Sequence, residues 1–452
     1  MSQTVNKSQL SPNTNVMPVS AGVNDKGHLT IGGVDSVELA QRFGTPLYVL
    51  DEATIRQAAK AYQEGLSIYP QSRVLFAGKS FLCTAMVHLV RELGLGLDVV
   101  SEGELYTAEK AGLDPNLIYM HGNNKSDAEI VSALKLPGVK IVADSEAEIA
   151  QIAQLARNLG VKAKVMLRVT PGVEPETHEY IKTGQTGSKF GFPLLSAIGA
   201  VKSVLDRKDD LELVGIHAHI GSQSQQIEPF LELIDIFADL LLEIHQKFDL
   251  QVEQLDVGGG LGITYTSDDR PIPIFDWSAK VAERAKHSIA KRNLRHPLLL
   301  VEPGRSIVGS AGVTLYRAGY CKANAAESRY VSLDGGMADN PRPITYQAKY
   351  TPAIANRMNA KPPEAPITLV GRYCESGDII IKEAFIDAQT GDLVAVFGTG
   401  AYNYSMASNY NRTTRPACVL VANGEADIII ERETNEDLIR QDRVPKRLLG
   451  NT

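Results

Sequence analysis

Polar side chains that could do chemistry stand at the ends of short apolar runs along the first two thirds of the chain. One run ends in Lys79, and another ends in Glu302, which Pro303, Gly304 and Arg305 follow in a rigid turn. A partly desolvated lysine amine can form a Schiff base. A carboxylate can hold a protonated ring nitrogen, and a guanidinium can bind a carboxylate. Each group also has an ordinary explanation, because isolated lysines are usually solvated and Glu302 and Arg305 could neutralise each other.

Glycines and histidines add two further groups. Gly258, Gly259 and Gly260 leave main-chain N–H groups open to a phosphate, although a tight turn explains such a run equally well. His217 and His219 alternate along a predicted strand, so both rings are expected on one face. They could be metal ligands, but no second histidine pair accompanies them, and we expect no metal. Alternatively, one ring lies flat against an aromatic cofactor while the other is packed or hydrogen-bonded.

Two more polar residues, Asp98 and Ser222, lie at or just beyond the ends of such runs. Separately, all these signals are modest. Together they describe a Schiff-base lysine, a nest for a phosphate, an acid for a ring nitrogen and an imidazole that faces a ring. Pyridoxal phosphate meets all four requirements, so the residues themselves favour this cofactor.

The elements that position these residues form a repeat. Eight apolar, β-branched runs alternate with segments of helical periodicity. The runs cover residues 73–79, 96–100, 117–121, 140–144, 163–170, 213–220, 255–258 and 298–302. Eight such repeats predict a (β/α)₈ barrel of the TIM type, whose functional groups gather at the carboxyl ends of the strands. The glycine-rich stretch 177–193 predicts a long active-site loop.

The chain after residue 310 predicts a second domain made only of β-strands, a Greek-key barrel or sandwich, because its apolar runs are separated by turn residues and lack helical periodicity. A short β-like run at residues 28–31 could complete this domain. The predicted parts are a disordered tail (1–25), an N-terminal segment that completes the β domain (26–50), the cofactor-binding barrel (51–310) and the C-terminal β domain (311–452). Cys374 and Glu375 end one of its runs, where a reactive thiol and a carboxylate could be exposed, although buried inert cysteines are commoner.

Composition excludes several classes of protein. The formal net charge is −7, from 46 Lys and Arg against 53 Asp and Glu, which argues against binding to nucleic acid. The longest apolar runs, such as 298–301 and 394–397, fall far short of the roughly 20 residues that cross a bilayer, so no membrane association is expected. The four cysteines are far apart and form no Cys-x-x-Cys pair, which favours a reducing cytoplasm.

The motifs together resemble those of the diaminopimelate decarboxylases, which are fold-type III pyridoxal-phosphate enzymes. The resemblance extends from about residue 30 to residue 425. It is carried by FAGKS, DVVSEGEL, HIGSQ, DVGGGLGI, EPGRS, DGGM, RPITY, CESGD and GAYNYSMASNYN. Jointly these motifs are highly specific.

The resemblance implies a role for each matched residue. Lys79 would carry pyridoxal phosphate as a Schiff base, His219 would stack on its ring, and Glu302 would pair with the ring nitrogen. Other cofactor contacts would come from Asp98, Ser222, Gly258, Gly259, Gly260, Pro303, Gly304, Arg305 and Tyr402. The amino-acid substrate would contact Arg305, Arg342, Tyr346, Glu375 and Tyr402. Cys374 would be the proton donor.

The implied reaction is the decarboxylation of meso-2,6-diaminopimelate to L-lysine and carbon dioxide, the last step of lysine biosynthesis. It implies a homodimer in which the second domain of one subunit completes the other's site. An ornithine, lysine or arginine decarboxylase of the same fold would meet a distal cation, which Arg342 disfavours. A racemase is less expected because of CESGD, and a non-catalytic regulator because Lys79 and Cys374 are both present. A metal hydrolase that uses His217 and His219 is a further alternative.

Overall fold

A computed structural model describes residues 11–173, 189–323 and 329–449. Contacts within the chain divide it into two compact units. The barrel unit contains residues 11–19, Glu52–Ala311 and Gly400–Ser405, and the β unit contains Ser20–Asp51, Gly312–Thr399 and residues 406–449. Most of the loop predicted at 177–193 lies outside the described residues.

The predicted tail of residues 1–25 is not disordered in its described part, so this prediction is wrong for residues 11–25. Pro12–Thr14 form a short 3₁₀ helix of the barrel unit, and Asn13 is completely buried. The Asn13 amide donates hydrogen bonds to the main-chain oxygens of Gly262, at 3.1 Å, and Ile272, at 2.8 Å. The composition of this segment, rich in Ser and Asn, predicts exposure to solvent. Composition cannot show that the hydrogen-bond partners of Asn13 lie far away in the sequence.

The N-terminal part of the β unit forms four strands and a helix. They are β1 (Gly22–Val23), β2 (Leu29–Ile31), β3 (Val34–Asp35), α1 (Ser36–Phe43) and β4 (Leu47–Asp51). The first three strands form a small antiparallel sheet. The Asp35 carboxylate caps α1 by accepting a hydrogen bond from the Val37 N–H, which explains why the helix begins there.

Eight parallel strands close into a barrel, so the predicted (β/α)₈ fold is confirmed. They are β5 (Ser72–Ala77), β6 (Gly96–Val99), β7 (Ile118–Met120), β8 (Lys140–Ala143), β9 (Ala163–Thr170), β11 (Leu211–His217), β12 (Gln254–Asp256) and β13 (Leu298–Val301), and the two-residue β10 (Phe192–Pro193) pairs with β9. Each strand pairs with the next one in the chain, and β13 closes the ring by pairing with β5. All eight strands lie within or beside the runs that predicted them.

Helices precede, connect and follow the barrel strands. They are α2 (Glu52–Leu66), α3 (Thr84–Glu92), α4 (Glu102–Lys110), α5 (Asp127–Leu134), α6 (Glu146–Leu159), α7 (Ala197–Leu205), α8 (Glu228–Phe248), α9 (Ile274–Lys291) and the short α10 (Arg305–Val308). Ser101, Ser126 and Ser145 cap three of them at the N-terminus through their hydroxyl groups. Among the described helices, none combines the length and the apolar character needed to cross a membrane.

A layer of apolar side chains fills the barrel below the strand ends. It draws one buried residue from each of six strands: Leu75, Tyr119, Val142, Met166, Val214 and Leu300. Leu75 precedes Ala77 by two residues, and Ala77 lines the cavity described below, so both face the interior. The barrel centre is therefore a packed core rather than a pore, and its chemistry is confined to the carboxyl ends of the strands.

The β unit is built mainly from strands, which confirms the predicted second domain. Its remaining elements are β14 (Gly312–Ala323), β15 (Arg329–Leu333), α11 (Arg342–Tyr346), β16 (Pro352–Ile354), β17 (Ile367–Val370), β18 (Ile379–Ala384), β19 (Leu393–Phe397), β20 (Ala417–Ala422), β21 (Glu425–Ile430) and α12 (Asn435–Ile439). Strand β4 lies between β14 and β20 in the main sheet. The N-terminal segment thus supplies a fully buried inner strand of this unit.

One segment departs from the predicted division of the chain. The sequence predicts Gly400–Ser405 in the C-terminal β domain, but they belong to the barrel unit. The Gly400 N–H donates to the Gly309 oxygen at 3.1 Å, and the Tyr402 N–H donates to the Ser80 oxygen at 2.8 Å. Local sequence texture cannot reveal this, because the segment lies between two stretches of the β unit.

Two helical glycines of the barrel unit predict opposite changes in stability when replaced by alanine. A Cβ at Gly65 would lie 2.1 Å from the Ser278 hydroxyl oxygen and 2.7 Å from the Phe275 oxygen, so α2 and α9 would have to separate. We expect Gly65→Ala to lower the free energy of unfolding by about 1–3 kcal/mol. A Cβ at Gly199 would have no neighbouring atom within 4 Å outside its own turn of the helix. We therefore expect Gly199→Ala to raise the free energy of unfolding by about 0.5–1 kcal/mol.

Urea-unfolding curves of both variants and the wild type measure these changes. An unchanged midpoint for Gly65→Ala would contradict the tight packing of α2 on α9.

Candidate active site

A cavity with about 330 Å³ of empty space opens at the carboxyl ends of the barrel strands. It is lined by Ala77, Lys79, His219, Ser222, Gly260, Leu261, Glu302, Gly304, Arg305 and Tyr402. All of these except Ala77 and Leu261 are residues that the sequence singled out. Its volume lies at the lower end of the range usual for small-molecule sites.

Lys79 lies in a 3₁₀ turn, Gly78–Ser80, that directly follows β5. The Ser80 hydroxyl closes the turn by donating to the Ala77 oxygen at 2.8 Å. A Cβ at Gly78 would lie 2.7 Å from the Asp98 oxygen, so the turn packs tightly on β6. Lys79 lines the cavity but is exposed, so it is not the partly desolvated lysine that the Schiff-base interpretation of the sequence expects. The turn carries the residue past the strand end to the mouth of the cavity.

Glu302 directly follows β13 and is held between two imidazoles. The Nε2 atom of His217 is hydrogen-bonded to Oε2 of Glu302 at 3.1 Å. The Nε2 atom of His121 lies 3.1 Å from Oε1 of the same carboxylate. The two rings meet edge to face, with centroids 4.8 Å apart. His217 is therefore the histidine of the predicted pair that bonds Glu302, while His219 lines the cavity.

His121 was not among the predicted site residues. It directly follows β7, and the sequence showed it as the last residue of the third apolar run. Position at a strand end was the signal that could have identified it. His121, His217 and Glu302 offer ligand atoms within 4.8 Å of one another, a spacing that a metal ion could also use.

Burial and neighbouring charges give three acids of the barrel different pKa values. Burial raises the pKa of Asp98 to about 7, and the charge of Glu302 adds to this effect. Burial also raises the pKa of Asp256 well above its usual value. Burial alone would raise the pKa of Glu302, but the His217 and His121 imidazoles hold it well below its usual range. Glu302 is therefore the acid that stays ionised.

The three histidines also differ in charge. Burial opposes the charged form of His121, but Glu302 and Asp98 raise its pKa to about 9. Burial lowers the pKa of His217 to about 4. Burial, with the Lys79 charge second, lowers the pKa of His219 well below its usual value. At neutral pH His121 is therefore the charged neighbour of Glu302, and His217 donates to it as a neutral ring.

Arg305, the first residue of α10, is fixed by aromatic and hydroxyl groups. Its guanidinium donates to the Ser222 hydroxyl at 3.0 Å and to the Tyr265 hydroxyl. It also lies 4.8 Å above the centroid of the Tyr402 ring. Tyr402 has φ of 64°, a left-handed conformation that is uncommon for a tyrosine. These contacts set the position of the cation before any ligand arrives.

The glycines after β12 shape the wall beside Glu302. The Gly258 N–H donates to the Asp256 carboxylate at 2.8 Å, and the Gly259 N–H donates to Nδ1 of His219 at 3.3 Å. Of the three glycines, only Gly260 lines the cavity. Gly258 and Gly259 thus orient Asp256 and His219, and the phosphate contact of the three glycines stays a prediction.

Two further predicted residues of the barrel unit, Asp98 and Pro303, do not line the cavity. Asp98, in β6, is buried, with Oδ1 3.6 Å from Nε2 of His121. The Pro303 oxygen accepts a hydrogen bond from the Ala77 N–H at 3.1 Å, which ties the turn after β13 to the end of β5. The Pro303 contact therefore helps to hold the Glu302 and Lys79 segments in place.

The other predicted substrate and catalytic residues belong to the β unit, whereas the residues that line the cavity belong to the barrel unit. They are Arg342, Tyr346, Cys374 and Glu375. Arg342 and Tyr346 begin and end α11, and a Cβ at Gly377 would lie 2.8 Å from Cδ1 of Ile344 in that helix. The helix therefore packs beside the loop that contains the other two residues.

The loop that contains Cys374 and Glu375 is organised by Asp378. Its carboxylate accepts hydrogen bonds from the Met337 N–H at 2.6 Å and from the Tyr373 N–H at 2.8 Å. Cys374 is exposed, and its N–H donates to the Asn411 side chain at 3.0 Å. The thiol is thus presented at the surface of this unit rather than packed in its core.

The barrel cavity fits pyridoxal phosphate. Oε1 of Glu302 is buried, and although Nε2 of His121 lies 3.1 Å from it, no donor within the described ranges is aligned with it. This oxygen can therefore accept from a protonated ring nitrogen. An amine, a neutral imidazole and a guanidinium line the same cavity, at Lys79, His219 and Arg305. These groups suit an aldehyde, an aromatic ring and a phosphate or carboxylate, respectively.

Comparisons with known proteins agree with this assignment. Residues 52–309 match the pyridoxal-binding domain model of the pyridoxal-dependent decarboxylases. The chain is 45% identical over 451 residues to a diaminopimelate decarboxylase of Synechocystis, covering 97% of this chain and 95% of that protein. It is 44% identical to the enzyme of the same name from Bacillus subtilis, covering 93% and 96%.

A solved structure is similar as well. The diaminopimelate decarboxylase of M. jannaschii, in a complex with L-lysine, superposes with a TM-score of 0.87 at 34% identity, covering 95% of this chain and 99% of that one. The barrel and its site thus define a pyridoxal-dependent decarboxylase, a carboxy-lyase. Within that class, the chain belongs to the diaminopimelate decarboxylase family.

Replacement of Gly259 should damage the site by displacing Glu302. A Cβ at residue 259 would lie 2.0 Å from the Glu302 main-chain oxygen, which cannot move without shifting the end of β13. We expect Gly259→Ala to lower the stability by about 1–3 kcal/mol and to weaken cofactor binding. Thermal melting and titration of the apoprotein with pyridoxal phosphate measure both effects.

Gly103→Ala is the matched control, since the nearest atom to its Cβ would be the Ser101 hydroxyl oxygen at 3.8 Å. Equal cofactor affinities of the two variants would contradict the role given to Gly259.

Proposed function

We propose that this chain catalyses the pyridoxal-phosphate-dependent decarboxylation of meso-2,6-diaminopimelate to L-lysine and carbon dioxide, the last step of lysine biosynthesis. The observation that carries the proposal is the cavity that joins Lys79, His219, Glu302 and Arg305 at the strand ends. The relatives' names, and the lysine bound to the M. jannaschii enzyme, support the choice of this substrate and product.

The barrel residues hold and tune the cofactor. When bound, pyridoxal phosphate supplies a ring that accepts the electron pair released as carbon dioxide leaves. The Lys79 amine is the group that would hold its aldehyde, and ionised Glu302 would keep its ring nitrogen protonated. His219 stays uncharged beside Lys79 and so offers a neutral ring face. Gly260 and Ser222 line the part of the cavity where a phosphate could bind.

The substrate has a second amine and carboxylate at its distal end, and charged residues suit both. Arg305 and Arg342 could bind the carboxylate, while Glu375 could bind the ammonium group. Tyr346 and Tyr402 would add hydroxyl contacts. Arg342 is buried and donates to the Tyr350 hydroxyl at 2.8 Å, so its direction is already set.

Cys374 would donate the proton to the α carbon after carbon dioxide has left. Its exposed thiol, in a loop whose main chain is bonded to Asp378 and Asn411, suits that task. We propose a homodimer in which Cys374 and Glu375 of one subunit serve the cavity of the other. The widely separated cysteines suit a cytoplasmic enzyme.

Reduction with borohydride tests the central assignment. The purified protein with pyridoxal phosphate should give, after reduction and proteolysis, a single modified lysine at residue 79, because only that amine lines the described cavity. A modified lysine elsewhere would refute the site.

Steady-state assays with meso-diaminopimelate, L-lysine and L-ornithine test the substrate, and a preference for either monocarboxylic amino acid would refute that choice.

A pair of exposed cysteines tests the proton donor. Cys374→Ala should lower kcat by roughly 10²–10⁴-fold with a small change in KM, since a general acid acts after the substrate binds. Cys321→Ala is the matched control, because Cys321 is also exposed and lies in β14, away from every motif. Similar rates for both variants would exclude Cys374 as the donor.

A further inference from the structure

The Glu302 carboxylate is shared by two imidazoles that the family motifs do not include as catalytic groups. His217 bonds one carboxylate oxygen and His121 lies 3.1 Å from the other. Oδ1 of Asp98 lies 3.6 Å from the same nitrogen of His121. All four residues are less than 10% exposed. His121 therefore lies between two buried acids, whereas Glu302 is the one side chain that the His217 ring bonds among the described residues.

The three acids of this cluster cannot all be ionised at once, so their protonation states must differ. Asp98, Asp256 and Glu302 come from β6, β12 and the end of β13, and all three are buried. Several unpaired negative charges cannot share a buried site without large cost, so protons or cations must compensate them. The positions of the two imidazoles on Glu302 favour charge on that acid over the other two.

The segment that carries His121 is held firmly. The His121 N–H donates to the Val99 oxygen at 2.8 Å. Next along the chain, the Gly122 oxygen accepts from the Lys125 ammonium at 2.8 Å, and the same ammonium bonds the Val142 oxygen and the Glu148 carboxylate at 2.7 and 2.9 Å. These bonds fix the main chain from which the His121 imidazole reaches Glu302.

We propose that His121 is a positioning residue that places the negative charge of this cluster on Glu302, and that His217 orients the same carboxylate through a neutral hydrogen bond. This inference rests on the proposed function, because Glu302 needs that charge to pair with a protonated ring nitrogen. The two histidines therefore have different roles. His121 contributes a positive charge, and His217 orients the carboxylate.

The charges that surround the two rings support this division. The titratable and charged groups that face the cluster are Lys79, Asp98, Glu104, Arg168, His219 and Asp256. Against this background Glu302 and Asp98 raise the pKa of His121 to about 9 despite its burial. Burial lowers the pKa of His217 to about 4, with Arg168 and His121 adding to it.

Replacement of each histidine by glutamine separates charge from geometry. The glutamine amide nitrogen can stand near the position of Nε2 and remains a neutral donor. H121Q removes a charge, so Glu302 should take up a proton more readily, and the acidic limb of the kcat profile should move to higher pH. We expect kcat to fall about tenfold or more at neutral pH, with KM within about threefold of the wild type.

H217Q keeps the neutral donor, so its acidic limb should coincide with that of the wild type. H88Q replaces an exposed histidine of α3 and should leave both kcat and the profile unchanged. A shift of equal size in H121Q and H217Q would overturn the proposal.

The apoprotein provides a second readout that needs no activity. A histidine whose pKa is raised in the folded state stabilises the fold below its ordinary value of 6.5, and this contribution is lost as the pH rises through about 9. The free energy of unfolding should therefore fall more steeply between pH 6.5 and 9 in the wild type and in H217Q than in H121Q. Equal slopes in all three proteins would overturn the proposal.

Two further measurements keep the outcomes distinct. If H121Q fails to fold, NMR of histidine-labelled wild-type apoprotein decides, since absence of a buried ring that stays protonated above pH 7 would overturn the proposal. Stoichiometric zinc bound by wild-type apoprotein and lost in H121Q would also overturn it in favour of a metal site. Failure of the proposed function would instead appear as a missing adduct at Lys79, while the pH dependence of the apoprotein would be unaffected.

Discussion

A single carboxylate, buried at the carboxyl end of the barrel, sets the arrangement of the site. Glu302 is ionised because imidazoles approach both of its oxygens. Its main chain is held as firmly as its side chain, since its N–H donates to the Gly258 oxygen at 2.9 Å and its oxygen contacts Gly259 too closely for any side chain there. The Pro303 oxygen of the same turn accepts from Ala77, the last residue of the strand that precedes Lys79. Amine, acid and cation thus share one rigid frame.

Much of this arrangement follows from local patterns in the sequence. Eight β-branched runs with helical segments between them specify a closed parallel barrel, and the rule that function gathers at strand ends then selects Lys79, Glu302 and Arg305. Partners across the barrel follow no such local pattern. His121 stands at the end of an apolar run in the sequence, as His219 stands near the end of another. However, only the order and register of the strands bring the His121 ring to 3.1 Å from the Glu302 carboxylate. The resemblance named Tyr402 but not its contact with the Ser80 turn.

The N-terminal segment shows the opposite limit. Asn13 is polar and lies in a stretch of low hydrophobicity, yet it is buried because its amide satisfies two main-chain oxygens more than 240 residues away. β4 is a short apolar strand whose neighbours, β14 and β20, come from the far end of the chain. Composition indicates how readily a segment is buried, but for a polar segment such as this one, burial also requires hydrogen bonds to distant parts of the chain.

The chain passes between its two units five times, at residues 19, 51, 311, 399 and 405. During synthesis, therefore, the barrel lacks the tyrosine that stacks on its guanidinium until residue 402 has been made, and the β unit lacks β20 and β21 until later still. Neither unit can be excised as one continuous fragment. Exchange of a whole unit with a relative by recombination would need five junctions, so homologous enzymes of this build should inherit barrel and sheet together.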